Sequence, residues 1–471
     1  MENFWDFNVW GWLNLVAILL VSLLAANVLR KSIPFLRKSL IPISVLGGGL
    51  LLAAEGVYKG ITGQAMFDTQ FFGGNGSAVL EMITYHCLAL GFIASAFKPS
   101  RGKLTKKRAE EIFNTGVTTV GTYLLQAVFG LAISLVASLI AGHLFSAAGI
   151  LLPFGYGQGT GQALNYGGIY ENTYGFEGGK SFGLTIAALG FLSASVGGVI
   201  HLNILKKKGI IQISDHQEKP LRSEEIQSYD EIPMQESIDK MTIQIALIFT
   251  AYLVTYLLMH GLGLLLPGMK SVVFGFNFLL GVLSATLVKL LMNWMKKKKI
   301  IRKEHINTFL MTRASNFFFD LMVVAGIAAI RVSELRNYPG VLLIMGVTGL
   351  AITYVYNLLV AKSLFPEYAQ EQFLMMYGML TGTASTGIVL LREIDGDFKT
   401  PASDNMVYQN FPAIAFGFPL MLLATLAPVR PWLTLLILMG FFALMNVILF
   451  RSRLFGNRAS ASRKERKKAG K

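Results

Sequence analysis

The chain has 471 residues, 53% of them hydrophobic and 15% charged, with a mean hydropathy of +0.53. Soluble domains carry about 25% charged residues, so this composition excludes an ordinary soluble protein. The formal charge of +15 does not point to nucleic acid, because the cations fall between apolar windows.

Apolar windows long enough to cross a bilayer core of about 30 Å as helices fall at about 11–29, 41–58, 79–97, 112–142, 181–205, 242–266, 271–294, 309–331, 339–361, 410–427 and 431–450. The first is too long for a signal-peptide core and lacks a clear cleavage site, so it reads as a membrane helix. The window 112–142 exceeds one perpendicular crossing and is expected to tilt or extend past the lipid. Cys87, the only cysteine, excludes an intramolecular disulfide and a thiolate metal cluster. It reads as a small packing residue in the third window. Two further stretches, about 147–170 and 372–391, are apolar but rich in glycine and threonine.

Lys and Arg set the orientation. They cluster at Arg30, Lys31, Arg37 and Lys38, across Lys98 to Arg108, at Lys206 to Lys208, at Lys296 to Lys299 with Arg302 and Lys303, and from Arg451 onward. The alternate connections hold only Lys59, Lys180, Lys270, Arg331, Arg336 and Arg430. All clusters share one face only if both Gly/Thr-rich stretches enter and leave the membrane on the same side. The N-terminus is then outside and the C-terminus inside. The expected fold is an all-α polytopic membrane protein with two inverted repeats of five transmembrane helices, each with a re-entrant hairpin, plus an extra C-terminal transmembrane helix. Residues 1–205 form the first repeat and 242–427 the second. An acidic linker, 206–241, joins them as a solvated cytoplasmic connector, and 428–471 adds the last helix and a basic tail.

Inverted repeats with helices broken in matching places characterise secondary transporters, and the breaks point to the binding site. Non-helical backbone at membrane depth is tolerated only where it lines a cavity or is buried in protein. A helix start there offers N–H groups to an anion, and hydroxyls, amides and carbonyls suit a hard cation. The expected substrate-binding residues are therefore Gly157, Gln158, Gly159, Thr160, Gly161, Gln162 and Asn165 at the first break. Thr381, Gly382, Thr383, Ser385, Thr386 and Arg392 follow at the second. Asn316, Asp320 and Thr383 are the candidate sodium ligands, since an intramembrane acid is costly without a purpose. Glu81 reads as an interfacial residue, Asn277 and Asn357 as hydrogen bonds between helices, and Arg313 and Lys289 as snorkelling cations. The isolated acids and six scattered histidines supply no enzyme constellation, and no cofactor is expected beyond the coupling ion.

Three segments resemble the bacterial sodium/glutamate symporter family: "IPISVLGGGLL", "GYGQGTGQA" followed by Tyr174, Gly175 and Phe176, and "GTASTG". The chain departs from that pattern at Gln158, where the family has histidine, at the proline missing near Ser385, at Asp320, and in its eleventh span. The resemblance implies a homodimer in the bacterial cytoplasmic membrane. It also implies sodium-coupled uptake of L-glutamate, or a related acidic or small polar solute, by alternating access. A proton-coupled carrier of another organic anion is the alternative, with an ion channel behind it.

Overall fold

The computed structural model describes residues 3–97, 105–142, 144–211, 231–232, 238–267, 270–301, 303–336, 338–395 and 399–453. Among them there is no β-strand, only one isolated bridge between Glu231 and Glu304. The helices used below are α1 (Phe7–Ser32), α2 (Ile43–Thr62), α3 (Gly76–Ala96), α4 (Lys106–Ala141), α5 (Ala148–Gly157), α6 (Thr160–Tyr174) and α7 (Gly179–Lys207). They continue with α8 (Lys240–Leu265), α9 (Asn277–Lys297), α10 (Thr308–Ala328), α11 (Pro339–Leu364), α12 (Ala369–Thr381) and α13 (Ala384–Arg392). The series closes with α14 (Ala402–Tyr408), α15 (Asn410–Leu426) and α16 (Pro431–Leu449).

Nine described helices are long and apolar enough to cross a membrane: α1, α3, α4, α7, α8, α9, α10, α11 and α16. A helix satisfies its backbone polar groups internally, which is the condition for entering lipid. Nine of the eleven apolar windows are these helices. The window 410–427 forms the second arm of a pair, α14 with α15, bent by 52°. The window 41–58 forms α2, which is helical but lies outside the nine. At 36 residues, α4 is about 54 Å long at 1.5 Å per residue, well over the thickness of the hydrocarbon core. It is the extended span that the window 112–142 predicts.

Local chemistry sets the ends. The Thr105 side chain caps α4, the Asp239 carboxylate accepts from Met241 and Thr242 N–H to cap α8, and Asn307 caps α10. Arg30 and Lys31, Lys206 and Lys207, and Lys296 and Lys297 occupy the last turns of α1, α7 and α9, where cations also face the negative end of the helix dipole.

The chain forms two compact units: Met1–Gly102 with Gly159–Ala188 and Ser214–Asn337, and Lys103–Gln158 with Leu189–Ile213 and Tyr338–Lys471. Each draws on both halves of the sequence. In unit one, α10 packs on α3, where the Ser315 hydroxyl donates to the Gly91 carbonyl at 3.0 Å. The Asn277 amide of α9 donates to the Tyr85 carbonyl of α3 at 3.0 Å, the interhelical role expected of it. Cys87 is buried and free. Of the acidic linker residues, Asp215, Glu218, Glu224, Glu225, Asp230 and Glu236 lie outside the described residues. Glu231 is part of a buried pair, 2.7 Å from the 1%-exposed Lys240 ammonium and 2.6 Å from the Asn307 amide. Glu231 is thus anchored within unit one.

In unit two, α4 packs on α11, with Thr122 and Asn357 hydrogen-bonded across the pair. The arms α12 and α13 pack against each other. Arg451 reaches Asn114 at 2.9 Å and Glu110 at 3.4 Å, fastening the end of the last helix to α4. The basic tail 454–471 lies outside the described residues.

Candidate functional site

The first break lies at the point where the chain leaves unit two for unit one. On the unit-two side, Pro153–Gly157 winds as a wide π-turn and Gly157 sits against the Tyr123 ring. Gln158 ends this turn with non-helical backbone. On the unit-one side, Gly159 has φ 81° and ψ −171°, a region open essentially to glycine alone. It is the N-cap residue of α6. Thr160 and Gln162 follow at 0% and 2% exposure, and the Thr160 hydroxyl and the Gln162 Nε2 have no hydrogen-bond partner. Gln162 Oε1 accepts from Asn165 Nδ2 at 3.3 Å, and Asn165 also donates to the Gly275 carbonyl at 2.7 Å. Gly161 lies against Leu88 of α3, and Thr160 lies against Gly326 of α10. The first N–H groups of a helix have no intrahelical acceptor. Thr160 and Gln162 thus add side-chain donors to a place already rich in them, a surface suited to a carboxylate.

A cavity of 510 Å³ in unit one opens beside this helix, lined by Glu81, Tyr85, Asn165, Lys180, Phe274 and Gly275 among others. The Lys180 ammonium is 2.8 Å from Glu81 and 3.7 Å from Glu171. Arg331 is 3.4 Å from Glu81 and 3.3 Å from Glu334, which also accepts from the Ser181 hydroxyl at 2.8 Å. Glu81 is therefore the centre of an ion network, more than the lone interfacial residue the sequence suggests. Asn165 belongs both to the cavity wall and to the amide pair that reaches Gln162.

The second break is contained in unit two. Helix α12 ends at Thr381, Gly382 and Thr383 are non-helical, and α13 begins at Ala384. The Thr383 hydroxyl accepts from Thr386 N–H at 3.3 Å and lies 3.2 Å from the Thr386 hydroxyl. Thr381 uses its hydroxyl on the Tyr377 carbonyl at 2.6 Å, so it is occupied within its own helix. The Leu380 carbonyl at the end of α12 accepts from Gln126 Nε2 of α4 at 3.0 Å, and the same amide donates to Thr353 at 2.9 Å. Gln126 Oε1 is buried without a partner. Tyr156 donates to the Gly346 carbonyl at 2.5 Å and lies 2.9 Å from the Ser193 hydroxyl, while Tyr377 donates to the Ser193 carbonyl at 2.7 Å. The side chain of Ser385 lies outside the described residues.

Arg392 is exposed in the last turn of α13. Asp395, just beyond, accepts from Lys399 and Thr400 N–H and from the Thr400 hydroxyl, closing its own loop. Of the candidate sodium ligands, Asn316 and Asp320 lie on the exposed side of α10 in unit one, Asp320 hydrogen-bonded to Ser44. Thr383 belongs to unit two. Among the described residues no group of three or more His, Cys, Asp or Glu is placed to hold a metal ion.

Gln126, Tyr156 and Lys180 escape the sequence reading. Gln126 carried a signal, since it stands inside the apolar window 112–142 on a helix that also holds Thr115, Thr118, Thr119 and Thr122, and a polar side chain at that depth needs partners. Together the long apolar helices define a class, a multi-pass helical membrane protein. The chain matches no known protein-family profile, and no curated protein matches it.

Proposed function

We propose that the protein is a secondary active transporter of the sodium/glutamate symporter type, carrying L-glutamate or a related acidic or small polar solute inward with sodium. On this reading it works as a homodimer in the bacterial cytoplasmic membrane by alternating access, its N-terminus outside and its C-terminus inside. One observation carries the proposal: the buried, unpartnered donors of Thr160 and Gln162 at the start of α6. A donor buried without an acceptor costs about 1–3 kcal/mol, and a visiting carboxylate removes that cost while taking the helix-start N–H groups as well. Sodium then acts by favouring the state that binds the anion, a coupling between two binding free energies.

The test is uptake of labelled L-glutamate into proteoliposomes with an imposed inward sodium gradient. Saturable uptake that collapses when sodium is equal on both sides is the expected result. Uptake that ignores sodium and follows an imposed pH gradient favours the proton-coupled alternative, for which Asp320 on α10 is the candidate carboxyl. In that case Asp320→Asn abolishes the pH dependence. Conductance that never saturates, or no accumulation under either gradient, overturns the carrier reading.

A further inference from the structure

A second set of buried polar groups, apart from both breaks, lies in unit two where α14 meets α4 and α12. The direction of its hydrogen bonds is fixed from one end. The Thr115 hydroxyl donates to the Glu111 carbonyl at 2.8 Å, so it accepts from Gln372 Nε2 at 3.1 Å. Gln372 Oε1 then accepts from Asn405 Nδ2 at 3.1 Å, and that amide's other proton goes to the Tyr368 hydroxyl at 3.0 Å. Both Asn405 donors are used, and its Oδ1 is left with nothing to accept. Gln409, one turn on, donates Nε2 to Asn410 Oδ1 at 3.0 Å and to the Met379 sulfur at 3.7 Å, and its Oε1 is also unpartnered. Asn405 is 0% and Gln409 2% exposed. The Gln409 N–H donates to the Asn405 carbonyl at 2.9 Å, so the two side chains leave the helix on one face, with Cβ atoms about 5–6 Å apart.

Two carbonyl oxygens on one face of α14, each on an amide with its donors committed elsewhere, are buried without a hydrogen-bond partner among the described residues. We propose that Asn405 Oδ1 and Gln409 Oε1 are ligands of a buried monovalent cation of the sodium class. Divalent ions recruit carboxylates, and the two described beside this cluster, Glu111 and Asp404, face the Arg108 guanidinium at 2.5 Å and 3.8 Å. The neutral amides therefore suit a singly charged ion. A bound ion would also hold α14 at its bend with α15. Its part in coupling rests on the transporter reading above, whereas the binding itself does not.

The test is the melting temperature of the purified full-length protein in N-methylglucamine chloride, titrated with NaCl, KCl or LiCl at constant ionic strength. The wild type is expected to gain stability saturably with at least one of these ions, as linkage requires of a ligand bound only by the folded state. Asn405→Leu and Gln409→Leu remove the oxygens and are expected to move the midpoint to at least about tenfold higher salt. Asn405→Asp keeps the oxygen, adds a charge and is expected to lower the midpoint, an effect that a purely structural amide would not produce. Thr160→Val, at the candidate anion site, leaves the cation response intact, so loss of glutamate uptake and loss of cation binding are read separately. A wild type with no saturable response to any of the ions means a bridging water only and overturns the proposal. So does a Leu pair that responds as the wild type does.

Discussion

At the scale of single residues, Thr160 and Gln162 are built at a cost to the fold and are expected to repay it on binding. Thr160→Val and Gln162→Leu remove the buried donors while keeping similar volume. Each is expected to raise the KM for glutamate by about tenfold to a hundredfold, the range given by a hydrogen bond to a charged group worth about 1.5–3 kcal/mol. Melting without solute should stay level or rise, because an unsatisfied polar atom has been removed. Uptake kinetics and melting curves on the same preparations check both halves, and a lower KM together with lower stability would contradict the assignment. The interruption was legible in the sequence, since Gly159 stands in a glycine-rich run, whereas the unpartnered state of Thr160 and Gln162 inside α6 was not. Lys180 was not legible. It looks like one of the sparse outer cations until folding sets it beside Glu81 and Glu171, partners 99 and 9 residues away in the chain.

Among the elements, the α12–α13 pair depends on close backbone approach. A Cβ added at Gly387 would lie 2.5 Å from the Met375 carbonyl oxygen, which is backbone and cannot swing aside. Gly387→Leu is therefore expected to separate the two arms, lower the melting temperature and abolish uptake. Thr383→Ala removes only the cap at the start of α13, at a cost of about 1 kcal/mol, and should leave a folded protein. Differential scanning fluorimetry distinguishes the two, and equal losses would mean that packing at Gly387 is not what holds the pair. The position of this break was readable from "TGTASTG", because glycine and hydroxyl residues interrupt an apolar window. The Gln126 amide that closes the end of α12 was not, since it comes from a helix more than two hundred residues earlier. Periodicity within a window says nothing about which carbonyl a distant amide will meet.

For the molecule as a whole, apolar windows and basic clusters sufficed to predict a multi-pass helical protein, because lipid leaves a chain few other choices. How the helices sort into two units was not legible, as each unit gathers segments from both halves through contacts between side chains far apart in sequence. The predicted orientation is checked with cysteines placed one at a time. Ser333→Cys is expected to react with an impermeant maleimide added to intact cells, and Lys298→Cys only after permeabilisation. The reverse pattern would invert the assigned topology. Such an experiment needs no preliminary removal of native thiols, for the one sulfhydryl the chain owns is buried on α3. The unsubstituted protein is therefore expected to stay silent to thiol dyes, so that any colour reports the position under interrogation.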